Sequence, residues 1–92
     1  MAVTVRIPAT LRKVTNGEAE LSVSSGTVAD VLGQARQIHP DLGNRIFDDG
    51  GNLRRFVNIY VGGEDIRFLN GLETPVNEGS DLSIIPAVAG GC

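Results

Sequence analysis

The sequence predicts an α+β domain: a mixed sheet of about four to five strands, one main helix packed on one face, and a flexible C-terminal tail. Three observations carry that expectation. Segments 2–7, 19–24, 56–61 and 81–85 have strand chemistry, residues 27–39 repeat apolar side chains at helical spacing, and the chain closes on small residues. A sheet with a helix across a single face is the economical way to bury one helical stripe and one face of each strand. The domain is expected over residues 1–86 and the tail over 87–92.

Ala2 to Ile7 alternates cleanly, with Val3, Val5 and Ile7 on one side and Thr4 and Arg6 on the other, and Pro8 closes the strand. Asn16-Gly17 is the strongest short-range hairpin signal, and Ala19 to Ser24 alternates again through Leu21 and Val23. Leu11 to Val14 lengthens the connection beyond a two-residue turn. Ser25-Gly26 breaks the second strand. Thr27 with Asp30 approximates a capping box, and Val28, Val31, Leu32, Ala35 and Ile38 make one apolar face of a helix that Pro40 ends. From Asp41 to Arg55 the pattern is irregular. Leu42, Ile46 and Leu53 there are expected to anchor a loop or short helix, and Asp48-Asp49-Gly50-Gly51-Asn52 to form a turn.

Phe56-Val57-Asn58-Ile59-Tyr60-Val61 is the best strand in the chain, rich in β-branched and aromatic residues. Val57, Ile59 and Val61 are expected to face the core, with Asn58 and Tyr60 outward. Gly62-Gly63 turns the chain into a short strand around Ile66-Arg67-Phe68. Asn70-Gly71 and Asn77-Glu78-Gly79-Ser80 mark further turns. In the last strand Leu82 and Ile84 alternate with Ser83 and Ile85, and Pro86 removes a ladder donor and stops it.

Composition narrows the function. At 92 residues the chain makes one domain with little interior to spare for a deep active site. Hydrophobic residues at 41% and charged residues at 21% argue against disorder. A net charge of −3, with no basic cluster beyond Arg12-Lys13 and Arg54-Arg55, disfavours nonspecific nucleic-acid binding. No apolar run approaches the ~20 residues of a membrane helix, and no secretory signal is visible, so a cytoplasmic monomer is expected, without nucleic-acid or membrane partners. The single cysteine excludes an internal disulfide or a cysteine cluster for a metal.

The element order, β-β-α-β, is that of the β-grasp (ubiquitin-like) fold. The strand at 56–61, Glu64-Asp65-Ile66-Arg67-Phe68, Gly71-Leu72-Glu73-Thr74-Pro75, Gly79-Ser80-Asp81-Leu82-Ser83-Ile84-Ile85-Pro86 and the Gly90-Gly91 tail together resemble the MoaD/ThiS ubiquitin-like sulfur carriers. Ala87-Val88-Ala89-Gly90-Gly91 after Ile85-Pro86 looks most like the CysO branch of that family.

The resemblance implies a carrier rather than an enzyme, with no cofactor bound by this chain. An E1-like adenylating and sulfurtransferase enzyme, using ATP and magnesium, would activate the terminal glycine carboxylate. Sulfur then replaces the adenylate to give a thiocarboxylate. A sulfur-accepting synthase, cysteine synthase-like in the CysO branch, takes that sulfur, and a metalloprotease releases the cysteine or trims the terminus. Molybdopterin, thiazole, thiosugar and other natural-product pathways are the alternative destinations, and a ubiquitin-like modifier of lysines or a MoaD-like subunit of molybdopterin synthase are the alternative roles. Gly90 and Gly91 are the implied working end, and Phe56, Tyr60, Ile85, Val88 and Ala89 the expected partner-binding residues.

Paired glycines suit a backbone that threads a narrow slot, because they add no side chain and accept any φ/ψ. The five residues Ala87 to Gly91 reach about 17 Å when extended. Cys92 departs from the pattern, since it occupies the carboxylate of Gly91. Three readings stand: an encoded extension that a protease removes, an adduct or its mimic, and an engineered cysteine. His39 reads as structural at a helix end, without a nucleophile in triad context. Asp48-Asp49 and Glu64-Asp65 read as solvated turn residues, and Gly62-Gly63 lacks the Lys-Ser/Thr of a phosphate loop.

Overall fold

The computed structural model describes residues 2–54 and 57–86. Phe56 and the tail from Ala87 to Cys92, with the flexibility expected of it, lie outside the described residues. Strand β1 (Val3–Arg6) pairs antiparallel with β2 (Glu20–Val23), and β3 (Gly26–Thr27) leads into helix α1 (Val28–Ile38) and then α2 (Pro40–Ile46). Strands β4 (Val57–Val61), β5 (Glu64–Asp65), β6 (Pro75–Val76) and β7 (Asp81–Pro86) complete the chain. Among the described residues the main sheet has five strands in the order β2-β1-β7-β4-β5, and β3 pairs with β6 beside it. The first and last strands run parallel, while every other pairing in the main sheet is antiparallel. This is a β-grasp sheet.

One face of the sheet meets α1. Val3 and Val5 of β1, Leu21 and Val23 of β2, Val57 and Ile59 of β4 and Leu82 and Ile84 of β7 are buried against Val28, Val31, Leu32 and Ala35 of the helix. The helix starts as its cap chemistry requires: Thr27 Oγ1 accepts from the Asp30 N–H at 3.2 Å, and Asp30 Oδ2 accepts from the Thr27 N–H at 3.1 Å. The Thr74 carbonyl accepts from the Val28 N–H at 2.9 Å, tying the same helix end to the 71–74 segment. No helix among the described residues is long and apolar enough to cross a membrane.

Several local expectations are corrected. Ile38 is 51% exposed, so the buried stripe of α1 ends at Ala35. Pro40 stops α1 but also opens α2, because its missing N–H and fixed φ suit a first helical turn. Of the loop or short helix expected after it, the structure has the helix, which buries Leu42 and Ile46, followed by a Phe47–Leu53 bridge around the expected 48–52 turn. Asn16 (φ 56°) and Gly17 (φ 83°) do turn the hairpin, at the end of a 3-10 helix (Ala9–Thr15) rather than as a two-residue loop. The short strand lies at Glu64–Asp65, and Ile66–Phe68 is a 3-10 turn whose N-cap, Asp65, accepts from the Arg67 N–H at 2.9 Å. Val61 faces the core as expected and packs against it half-buried.

Candidate functional site

The candidate site is the root of the C-terminal tail and the open sheet face beside it. Strand β7 sits between β1 and β4, with Thr4 opposite Asp81 and Arg6 opposite Ser83 on one side. On the other side Tyr60 faces Ser83, Asn58 faces Ile85 and Val57 faces Pro86. The chain therefore leaves from the middle strand of the sheet, paired with β1 as far as Ser83 and with β4 to Pro86. Alternation puts Leu82 and Ile84 in the core and leaves Ser83 and Ile85 on the face opposite α1.

Two of the expected partner-binding residues meet there. Ile85 is 45% exposed and Tyr60 is half-buried. Their register makes them diagonal cross-strand neighbours, which in an antiparallel ladder lie about 7 Å apart. Phe56, Val88, Ala89, Gly90, Gly91 and Cys92 lie outside the described residues. The patch is small, and ion pairs frame it.

On one flank Arg6 Nη1 donates to Glu20 Oε2 at 2.8 Å, and Arg6 Nη2 to Asp81 Oδ2 at 3.0 Å. The hydrogen bond and charge of Asp81, followed by the charge of Glu20, hold the Arg6 guanidinium above its ordinary pKa. On the other flank Arg67 donates to the Asn58 side-chain carbonyl and lies 3.3 Å from Asp65 Oδ2. Sequence reading missed both clusters. Arg6 and Asn58 were legible as outward-facing, but Asp81 is 75 residues from Arg6, and only the parallel β1–β7 pairing joins them.

The remaining candidates fall elsewhere. His39 is buried between the two helices, its Nε2 2.9 Å from Glu18 Oε1, in a structural position. Asp48 Oδ1 accepts from the Gly50 and Asn52 N–H groups at 2.9 and 3.0 Å, so it shapes its own turn. Asp65 caps the 66–68 turn as described. Among the described residues no three His, Cys, Asp or Glu side chains converge as a metal site would need. Nothing in this arrangement of the described residues resembles a nucleophile–base pair; what it offers is a small binding face at the foot of a tail.

A β-grasp sheet that delivers its C-terminus from the central strand beside a partly apolar open face defines the ubiquitin-like carrier class. The ThiS family pattern matches residues 5–91, and the chain belongs to that family. It is 43% identical over 93 aligned residues to the sulfur carrier protein CysO of Mycobacterium tuberculosis H37Rv, covering 99% of this chain and 100% of the relative. A crystal structure of the Amycolatopsis orientalis BexX/CysO complex contains a chain that superposes with a TM-score of 0.89 at 42% identity, covering 97% of this chain and 99% of that one. The small archaeal modifier protein 1 of Methanosarcina acetivorans superposes with a TM-score of 0.86 at 35% identity, covering 97% and 95%. The sulfur-carrier class is thus supported along the full length, by sequence and by fold.

Proposed function

We propose that the reacting atom of this carrier is the carboxyl carbon of Gly91, set free by removal of Cys92. The carboxylate oxygen attacks the α-phosphorus of ATP on an E1-like partner, with magnesium, and pyrophosphate leaves. Sulfide then displaces AMP from the acyl adenylate and leaves a Gly91 thiocarboxylate. The thiocarboxylate, like a thiolate, is a nucleophile, so the carrier needs no base of its own. It donates sulfur to an acceptor on a synthase, in cysteine formation or in the assembly of a cofactor, thiosugar or other natural product. The peptide bond between Gly91 and Cys92 must be cut first, which is work for a metalloprotease partner. The chain is a co-substrate throughout.

The observation that carries this reading is the end of β7: a central strand passes directly into Ala-Val-Ala-Gly-Gly, with Tyr60 and Ile85 on the open face beside its last residues. A partner gripping that face would hold the tail's root while the glycines reach its active site. The likeness to small archaeal modifier protein 1 favours one second reading, in which Gly91 is joined to protein lysines. Intact-mass analysis of protein isolated from a sulfur-replete producing cell separates the two. Loss of the cysteine residue with one oxygen exchanged for sulfur supports the carrier, whereas lysine-linked conjugates without that species support the modifier. Gly91→Ala is expected to stop activation and leave the thermal midpoint unchanged; wild-type sulfur transfer in that variant overturns the role assigned to Gly91.

A further inference from the structure

Two segments close the end of the sheet from which the tail leaves. Because β7 runs parallel to β1, that end is also where β1 finishes, and residues 8–19 follow it through the 3-10 helix Ala9–Thr15. Because β7 runs antiparallel to β4, β4 begins there too, and residues 36–54, with α2, precede it. The segments are joined: His39 Nε2 lies 2.9 Å from Glu18 Oε1, and Leu11, Leu42 and Ile46 share the core. The Arg54 N–H donates to the Ile46 carbonyl at 2.9 Å, and the Arg54 carbonyl accepts at 3.1 Å from the N–H of Val57, the residue opposite Pro86.

Charge is sorted about this end. The two segments carry Arg12, Lys13, Arg36, Arg45 and Arg54 against Glu18, Asp41, Asp48 and Asp49. The remaining described residues carry seven carboxylates and two cations, Arg6 and Arg67. Those two are paired, Arg6 with Glu20 and Asp81 and Arg67 with Asp65, whereas none of the five pairs with a carboxylate among the described residues. Arg12 and Arg54 are anchored instead through Nε, which donates to the Ile7 carbonyl at 3.3 Å and to the Asn44 carbonyl at 3.0 Å. Of the four carboxylates, Glu18 is taken by His39 and Asp48 by its own turn.

We propose that this cationic end is a docking surface for acidic side chains at the mouth of the partner slot that the tail enters, and that it orients the carrier tail-first. The inference rests on Gly91 being the working end. Position selects the occupant. Extended, Ala87 to Gly91 carry the terminal carboxylate about 17 Å from the root, farther than an arginine side chain extends. A nucleotide reacting at Gly91 is therefore out of reach of these cations, and what meets them is protein at the rim of the slot. Charge selects it as well. On a chain of net charge −3, an acidic rim repels every approach except the one that leads with the tail. Arg12 and Arg54, held by Nε with no described acceptor on their Nη groups, present donor pairs of the geometry that carboxylates accept.

The first arm of the test uses the full chain, isotopically labelled for amide NMR, and a blocked hexaglutamate peptide. Saturable shifts are expected at Arg12, Lys13, Arg45 and Arg54 in low salt, and their loss at about 0.5 M salt, where screening confines charge to a few ångströms. Lys13→Gln with Arg45→Gln, two exposed positions, should weaken the peptide about tenfold, and Lys13→Arg with Arg45→Lys should retain it. The second arm follows ATP–pyrophosphate exchange on the cognate activating enzyme after removal of Cys92. The carrier's KM should rise about tenfold from low to high salt with kcat unchanged. The Lys13→Gln, Arg45→Gln variant should raise KM in low salt and flatten that dependence. Shifts absent or confined to the Tyr60–Ile85 face, tighter binding of ATP or a DNA duplex than of the peptide at these residues, or a salt-independent KM would each overturn the proposal. Peptide binding as expected, with no exchange in wild type, would instead strike the role given to Gly91 and leave the acidic docking surface standing.

Discussion

Ile84 and Ile85 are chain neighbours with opposite surroundings, and truncating each to alanine separates what holds the fold from what meets a partner. Ile84 is 2% exposed, packed in the core. Ile84→Ala removes about three methylene equivalents, ~2.4 kcal/mol of transfer free energy. The cavity left behind brings the total cost to about 2–5 kcal/mol. In a domain of this length that should lower the thermal midpoint by roughly 10 °C or more. Ile85 is 45% exposed on the open face. Ile85→Ala should cost no more than about 1 kcal/mol, mostly in lost strand preference. Its effect should appear in activation, since a central apolar contact is worth about 1–2 kcal/mol to binding. The assay pairs urea unfolding of each variant with ATP–pyrophosphate exchange on the cognate activating enzyme, after removal of Cys92. A rise in the carrier's KM of about tenfold is expected for Ile85→Ala. Stability losses of equal size at the two positions, or a reversed order, would refute the reasoning. A slip of β7 by one residue, or by any odd number, would exchange their faces.

The other predictions concern the scaffold that carries the tail. Thr27→Ala removes the hydroxyl half of the capping box and should cost about 1 kcal/mol, with faster hydrogen exchange confined to the first turn of α1. Gly43→Ala should destabilise the fold despite a gain of about 1 kcal/mol in helix propensity. The new Cβ runs into the aliphatic stem of Arg36, whose guanidinium sits 5.7 Å from the Phe47 ring centre. In an Arg36→Ala background the same glycine substitution should become neutral or stabilising, as a double-mutant cycle in urea would read. Arg6→Met should leave the unfolding midpoint close to wild type, and the residual difference should vanish in high salt, because its pairs with Glu20 and Asp81 are exposed.

What was legible in the sequence was whatever a segment decides for itself. The Thr27–Asp30 box, the alternation of Val3, Val5 and Ile7, and the β-branched run of β4 each name their own conformation within a few residues, and the structure keeps all three. Pro40 shows where such reading fails. A proline after a helical stripe reads as a stop, yet the same ring geometry begins α2, and only the burial of Leu42 and Ile46 against α1 decides between the two. Ile66-Arg67-Phe68 fails for a related reason: its alternation imitates a strand, but Asp65 captures the Arg67 N–H and bends the chain into a 3-10 turn. Ile66 is buried and Phe68 is left 85% exposed.

Long-range pairing was illegible in principle, and the site depends on it. That β1 and β7 are neighbours is a consequence of threading the whole chain, so nothing within either strand announces the Arg6–Asp81 pair or the central position of the last strand. A tail leaving an edge strand could be peeled back with its strand. Strand β7 instead pairs with β1 at Asp81–Ser83 and with β4 to its end, with Asn58 opposite Ile85 and Val57 opposite Pro86. A pull on the chain beyond Pro86 would therefore act first on the β4 ladder and meet the β1 ladder only at Ser83.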